Sequence, residues 1–531
     1  MHYNFKSQTP SRKHMKQDQQ INNGRQKGIT SPFFAFSGRD FGMALAVILG
    51  VLCIEAMYVF LISAGTWHNW ITTTSYYDEL AKSFAGGKLW IEEKPDPALL
   101  ALPNPYDPKA RSGIPYPQDV SLYKGRFYLY FGPVPALILL FFKPFVAGSI
   151  GDQYLVFGFM TGILLLQVVL IVSVWRRFLF DVPFWLLLPG ILVSGLISPF
   201  GWTLSLASVY NAAILSGQFF FLAGLCFAFS ALKQAQISKG KLVLAGLFWV
   251  CAIGSRMTQV MPVGLMLILI IIWLLRGQGT KSLHSNPYPA IVFLGIPLLV
   301  GALGLGWYNW ARFNSIFESG ITYQLAGVDL QKHQQELFSY RYIGNNFFNY
   351  FLIKPSINKK FPFLGPVKGI DEPIIKFVDF PDIYFSQETA GLLYIAPFIL
   401  FSVIPIIYAF RNFRGELKEG ERCYNWVVIS LFGSFFSSLL FFLSFFWAGV
   451  RYLADFMPAL VMLSVFGFLQ SYRYAGKSLI LRWLVVTIGL ALIAITIVNS
   501  NLIALSISSA KYREFNPELW RQLTKFFNNL R

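Results

Sequence analysis

The run Tyr128-Leu129-Tyr130-Phe131-Gly132-Pro133-Val134-Pro135-Ala136-Leu137, apolar onward to Ala147, decides how the chain threads. It is apolar enough to cross a bilayer. If it crosses, Arg176-Arg177 lie outside and every later loop inverts. If it lies at the outer face or re-enters, a span from about Tyr154 to Trp175 leaves those arginines in the cytoplasm, as the positive-inside bias prefers. The clusters Lys233/Lys239/Lys241, Arg276/Lys281, Arg411/Arg414/Lys418/Arg422 and Arg473/Lys477/Arg482 then follow suit. Gly132-Pro133-Val134-Pro135 also makes a poor straight helix. The run therefore reads as a re-entrant or surface segment.

Upstream lies a polar segment, residues 65–127, that opens Gly65-Thr66-Trp67-His68-Asn69-Trp70 and carries Asp78, Glu79, Glu92, Glu93, Asp96, Asp107 and Asp119. Before it, an apolar run from about Phe41 to Ala64 makes span one. No small-residue cleavage site follows it, so it reads as an uncleaved anchor. Residues 1–40 are polar and basic and read as a disordered cytoplasmic tail.

Composition sets the class. The 531 residues are 55% hydrophobic and 13% charged, about half the ~25% charged share of soluble domains. Apolar runs of membrane-spanning length recur. Later spans are expected at about 184–200, 206–232, 242–255, 258–275, 288–311, 390–410, 424–446, 450–470 and 483–504. The expected fold is an all-α polytopic membrane protein of about eleven transmembrane helices, N-terminus in the cytoplasm. Residues 41–311 form one transmembrane module, including the outer loop. Residues 312–389 form a second outer loop, 390–504 the last spans, and 505–531 a basic amphipathic outer tail. The net charge of +18 comes from cations scattered in short inter-span loops, and no nucleic-acid-binding signature accompanies it. The four cysteines lie in or beside apolar spans, which argues against a disulfide framework.

Several groups are candidates for chemistry. Ser75 to Trp90 has helical spacing, with Tyr77, Leu80, Ala81 and Phe84 on one face and Gly86-Gly87 as a stop. It reads as a helix lying on the bilayer, with Asp78 and Glu79 facing water or a site. Asp119 lies among aromatics just before the decisive run. Such surroundings raise a carboxyl's pKa and suit a general base; a turn-capping aspartate is the plainer account. Arg256 falls midway in the apolar stretch 242–275 and so lies at or below the outer surface. It either snorkels or meets an anion such as a phosphate, which guanidinium matches bidentately. Arg312 and Glu318 form a further pair at an outer span end. Arg451 and Asp455, spaced i,i+4, form another, read as an ion pair or as a holder of an anionic head group. Walker, dinucleotide and zinc signatures are missing, and no Asp-x-Asp metal motif is indicated.

The strings Tyr77-Asp78-Glu79-Leu80-Ala81-Lys82-Ser83-Phe84, Ile253-Gly254-Ser255-Arg256-Met257-Thr258 and Tyr128-Leu129-Tyr130-Phe131-Gly132-Pro133, with the architecture around them, resemble the GT-C superfamily of membrane glycosyltransferases over residues 40–320. This superfamily includes protein O-mannosyltransferases, lipid A aminoarabinose transferases and lipopolysaccharide-core galacturonosyltransferases. The resemblance implies a polyprenyl-phosphate sugar as donor and an acid of the first outer loop as base. The family's Asp-Glu pair before the tyrosine is replaced here by Thr72-Thr73-Thr74-Ser75. The base then falls to Asp119 or, second, Asp78, unless the chain is a non-catalytic relative. Arg256, Arg451, Arg312, Glu318 and Tyr77 are the expected substrate contacts. No cofactor is required, though paired carboxylates admit a divalent metal. The expected partners are the bilayer, the lipid-phosphate sugar and a glycan, lipid or protein acceptor, at the inner membrane. The rival readings are a flippase or transporter of a lipid-linked glycan and a non-catalytic assembly protein. A transferase requires an acid, Arg256 and Arg451 to share one cavity. A transporter requires a polar path through the membrane.

Overall fold

The structure, a computed structural model, describes residues 38–232, 237–276, 286–374, 380–412 and 419–529. The expected tail therefore lies outside the described residues, apart from 38–40, which begin the first helix. Lys233, Lys281, Arg414 and Lys418 lie outside them too. Two compact units are distinguished, residues 1–49 and 50–531. The described part of the first is the opening half of helix α1 (Gly38–Ile62), with Phe41, Leu45 and Ile48 exposed as lipid-facing residues are. Everything below concerns the second.

Among the described residues seven helices are long and apolar enough to cross a membrane. They are α1, α4 (Asp152–Phe178), α6 (Val209–Leu232), α8 (Val260–Leu275, reached through a 3-10 turn), α9 (Tyr288–Phe313), α11 (Glu419–Leu443) and α13 (Leu479–Ile507). The chain is an integral membrane protein. Several of the eleven expected runs are shorter or broken. The 184–200 run gives a 3-10 turn and α5 (Leu187–Leu196), which stops before Ser198-Pro199. The 242–255 run is α7 (Lys239–Ser255). The 390–410 run is split by Pro397 into short turns and α10 (Val403–Arg411). The 450–470 run opens as a 3-10 turn before α12 (Met457–Tyr474). At Ser198-Pro199 and at Pro397 proline supplies no N–H and crowds the preceding turn, which explains those two breaks.

The decisive run folds as a hairpin strand, a sharp bend at Gly132-Pro133 and the short helix α3 (Val134–Phe142), which ends in a single turn to Phe145. Its 12 helical residues rise only ~18 Å, well short of a ~30 Å hydrocarbon core. The bend crosses the end of α7 closely. A Cβ on Gly132 would lie 2.0 Å from the Gly254 carbonyl oxygen.

The helix expected after Ser75 forms as α2 (Tyr76–Ala85) and stops at Gly86-Gly87, where Gly87 has φ +71°. Its start is capped by a carboxylate far along the chain. Asp152 accepts from the Tyr76 and Tyr77 amides at 3.2 and 3.3 Å and from the Thr74 hydroxyl at 2.5 Å. A carboxylate there satisfies free N–H groups and opposes the helix dipole. Downstream, β1 (Ser121–Tyr123) and β2 (Arg126–Tyr128) pair antiparallel around Lys124-Gly125, both at positive φ, the geometry that suits a two-residue hairpin turn.

The segment after α9 folds onto this hairpin. The Leu325 amide donates to the Val120 carbonyl at 2.9 Å, and the Ser121 hydroxyl donates to the Gly320 carbonyl at 2.6 Å. Arg111, 2% exposed, donates to the Tyr106 carbonyl at 2.7 Å and also to the Ala326 carbonyl. Further along, β3 (Phe385–Ser386) pairs parallel with β4 (Trp447–Ala448). The tail forms two helices, α14 (Ser509–Phe515) and α15 (Pro517–Asn529). They bridge two distant loops. Asn516 donates to the Ala64 carbonyl at 3.4 Å, Asn528 accepts from the Phe361 amide at 2.9 Å, and the Phe361 and Phe527 rings stack at 4.9 Å.

Candidate functional site

A cavity of about 230 Å³ lies between the hairpin, the α7–α8 break and the turn before α12. Asp119, Arg256 and Arg451, from three distant segments, all line it. Tyr130, Phe131, Tyr210, Phe338, Phe442, Phe445, Trp447 and Tyr452 form much of the remaining wall. Local backbone explains the convergence. Asp119 has φ +57° and is half-buried, just before the Val120 tether to the second loop. A residue other than glycine at such φ is uncommon and is held there by its surroundings. Burial pushes the Asp119 carboxyl above the ordinary aspartate range, and the Arg451 guanidinium opposes this only in part.

Arg256 stands at the break itself, in an extended conformation (φ −153°, ψ 119°) between α7 and the 3-10 turn Met257–Gln259. Its guanidinium is held side-on by Asp455, Nε to Oδ1 at 2.8 Å and Nη2 to Oδ2 at 2.9 Å. The Thr258 hydroxyl donates to the same carboxylate at 3.1 Å, and Gln218 donates to the Asp455 carbonyl at 2.5 Å. The expected pairing of Arg451 with Asp455 is therefore replaced by Arg256 with Asp455. The cause is the 3-10 turn Val450–Asp455. At ~3.0 residues per turn, i and i+4 point about a third of a turn apart, instead of sharing a face as in an α-helix. Arg451 instead lies over aromatic rings, its guanidinium carbon 4.6 Å from the Tyr210 centroid and 5.2 Å from those of Trp447 and Tyr452.

The other candidates lie elsewhere. The Asp78 side chain is fully buried and engaged by Lys143, by Lys82 at 2.7 Å and by the Ser149 hydroxyl at 3.1 Å. Burial alone would raise its carboxyl; the two lysines more than offset this and hold it below the ordinary range. It ties α2 to the end of α3 and is not among the cavity lining. Arg312 and Glu318 form no ion pair. Arg312, 4% exposed, donates to the Leu129 carbonyl and the Asn309 side chain at 2.8 and 2.9 Å, and stacks 3.8 Å over Tyr308. Glu318 accepts from the Gly320 and Thr322 amides at 2.6 and 3.4 Å, closing its own turn. Tyr77 is fully buried in α2, its hydroxyl without a hydrogen-bond partner. Burial pushes that phenol well above 10.

A second slot of about 350 Å³ runs between the α7–α8 break and α9, lined by Val250, Ile253, Val260, Leu298, Ala302 and Leu305 among others. Tyr130, Gly132, Met257 and Ser319 border both spaces. Three features escaped the sequence: Asp455 as the partner of Arg256, Asp152 as the cap of α2, and the aromatic wall. Asp152 carries a signal, a carboxylate directly after Gly151 at the head of a long apolar run. Among the described residues no group of three His, Cys, Asp or Glu is arranged to hold a metal ion.

A membrane protein with a charged, aromatic-walled cavity at one end of its spans is thus defined. It matches no family model and no curated protein. Among solved structures it is similar to the oligosaccharyltransferase of Archaeoglobus fulgidus in its apo form, at 12% identity and a TM-score of 0.43, covering 86% of this chain and 56% of that one. The archaeal oligosaccharyltransferase AglB from Archaeoglobus fulgidus, in complex with an inhibitory peptide and a dolichol-phosphate, aligns at 12% and 0.44 over 88% of this chain and 56% of the other. ArnT from Cupriavidus metallidurans, bound to undecaprenyl phosphate, aligns at 11% and 0.39 over 88% and 77%. The chain spans little more than half the length of the archaeal enzyme. Likeness at this level fixes neither chemistry nor substrate, which rest on the residues of this chain.

Proposed function

We propose that this protein is a membrane glycosyltransferase that moves a sugar from a polyprenyl-phosphate donor to a hydroxyl acceptor on the outer face of the inner membrane. One observation carries the reading: an acid and two guanidinium groups, far apart in sequence, line a single small cavity. The acceptor hydroxyl attacks the sugar's anomeric carbon while its proton passes to Asp119. The bond from that carbon to the phosphate oxygen breaks, and the electron pair leaves with the lipid phosphate. Direct displacement inverts the anomeric centre. Preorganised cations stabilise charge that grows on the leaving phosphate, the part assigned to Arg451 and Arg256. The neighbouring apolar slot suits the first isoprene units. The decisive run, too short to cross, serves as the re-entrant segment that floors both spaces.

Orientation follows from charge. Arg176, Arg177, Arg411, Arg422 and Arg473 stand at the helix ends opposite the cavity; Arg473 pairs with Asp181 at 3.1 Å and donates to the Phe178 carbonyl at 2.9 Å. The positive-inside bias makes that end cytoplasmic.

Purified protein incubated with a panel of polyprenyl-phosphate sugars and envelope glycan acceptors tests the reading. Transfer that disappears in Asp119→Asn, with insertion and folding intact, is the expected result. Full transfer by that variant removes Asp119 as the base. Transport of the lipid-linked glycan without any transfer refutes the enzyme.

A further inference from the structure

We propose that the helix ends opposite the cavity carry a site for one anionic phospholipid, its phosphodiester head group held between the ends of α10 and α12. The site lies outside the transferase machinery, and the inference does not depend on that reading. Four helix ends meet there through aromatic rings. Phe178 of α4 lies 5.6 Å from Tyr424 of α11, and Tyr408 of α10 lies 6.1 Å from Tyr424 and 6.3 Å from Tyr474 of α12. Gln470 knits the cluster: it accepts from the Tyr424 hydroxyl at 3.3 Å and donates to the Tyr474 oxygen at 2.7 Å. Tyr474 is exposed, and with its oxygen accepting from Gln470 its own O–H points outward as a donor. Tyrosine hydroxyls placed this way suit the head-group level of a bilayer.

The charge around this cluster is positive. The last turns of α4, α10 and α12 and the first turn of α11 carry Arg176, Arg177, Arg411, Arg473 and Arg422 against Glu419 and Glu421, with Asp181 just past α4. Arg473 pairs with Asp181 at 3.1 Å. Arg411 is exposed and forms no ion pair with a described residue. Both guanidinium groups lie within electrostatic reach of the Tyr474 hydroxyl; Glu421 and Arg473 lie within reach of that of Tyr408. Guanidinium matches phosphate oxygens bidentately. What makes the occupant a lipid is the surface below Arg411. Val403, Ile407 and Phe410 are exposed and share one face of α10 with Arg411, at helical spacings of three and four. That face runs ~12 Å, most of the ~15 Å depth of one leaflet. An acyl chain fits along it while its phosphate reaches Arg411 and Arg473. A head group of net negative charge gains from the surplus of arginines; a zwitterionic one brings an ammonium into it.

The test is native mass spectrometry of the full chain in detergent, with dioleoyl phosphatidylglycerol or dioleoyl phosphatidylcholine added. One phosphatidylglycerol should stay bound, with a Kd about ten-fold below that of phosphatidylcholine. Arg411→Gln/Arg473→Gln should abolish that preference. Arg473 also holds Asp181 and the Phe178 carbonyl; should the double variant misfold, Arg411→Gln alone should cut the preference by roughly five-fold. Lys124→Gln/Arg126→Gln removes the same charge from the exposed hairpin on the cavity side and should leave the preference unchanged. Equal retention of the two lipids by the unaltered protein overturns the proposal. So does an unmoved preference in folded Arg411→Gln, or an equal loss in the hairpin variant. Displacement of the bound lipid by millimolar glycerol phosphate assigns the site to a soluble anion, and a dimer in place of the lipid adduct assigns the face to a second copy of the chain; either result overturns it as well.

Discussion

Asp119 shows how much one residue's surroundings decide. Removing a positioned general base lowers rates by roughly 10²–10⁴-fold, so Asp119→Asn should lose that much transfer while still binding the lipid phosphate. Burial disfavours its ionised form. Half-ionisation therefore needs a higher pH than the ~3.9 of an exposed aspartate. The acid limb of the pH–rate profile should lie above that value. Arg451→Gln removes the cation that opposes the shift and should move the limb higher still. A limb at the ordinary carboxylate position would detach the proton transfer from Asp119. Arg312 differs in kind. Its donors satisfy buried acceptors on Leu129 and Asn309, and a stranded buried acceptor costs about 1–3 kcal/mol. Arg312→Ala should therefore lower thermal stability in detergent markedly, whatever its effect on turnover. Type and spacing alone placed Arg312 beside Glu318 and Arg451 beside Asp455; instead Arg312 reaches the Leu129 carbonyl and Asp455 is held by Arg256, both far away in the chain.

Local signals fared better for elements than for partners. Gly86-Gly87 ends α2, and Arg256 marks the α7–α8 break, because both depend on residues within a turn of each other. The 3-10 start of α12 and the strand pairing of Phe385 with Trp447 depend on distant chain, and no periodicity announces them. The aromatic wall was hidden for the same reason: Phe445 reads as the end of a span, with Trp447 just past it, until Phe338 and Phe385 pair beside them. The Gly132–Gly254 crossing makes a sharp prediction. With backbone 2.0 Å from the added carbon, Gly132→Ala must part α3 from α7, at an overpacking cost of about 1–3 kcal/mol. The check is a lower melting temperature together with weaker lipid-phosphate binding. The Asp78 anchor answers to pH. Its carboxyl is depressed in the folded protein, so its contribution is present above the unfolded pKa and is lost as pH falls through the lower folded value. Acidification should loosen α2 from α3, seen as faster amide exchange across residues 76–85. Asp78→Asn should show that loosening already at neutral pH.

Across the molecule, the polytopic helical class was legible from composition. The number of clean crossings was not, because prolines cut apolar runs whose hydropathy alone looks continuous. The proposed orientation, with the cation-bearing helix ends in the cytoplasm, can be tested directly. A cysteine at position 177 should label only from the cytoplasm and one at position 124 only from outside. The reverse pattern would turn the cavity inward and end the transferase reading. The tail helices add a mechanical expectation. Deleting residues 509–529 should leave the spans inserted while the 65–70 and 356–365 loops become sensitive to protease.

Those tail contacts also set a timetable. Phe60 and Ala64 are held by Tyr512 and Asn516, each 452 residues later in the chain. A ribosome adding ~5–20 residues per second needs on the order of a minute to bridge that gap. The mouth of the first span thus emerges long before its final partner has been made. Any factor that shields nascent outer loops would find its target there during synthesis and lose it once the last helix docks.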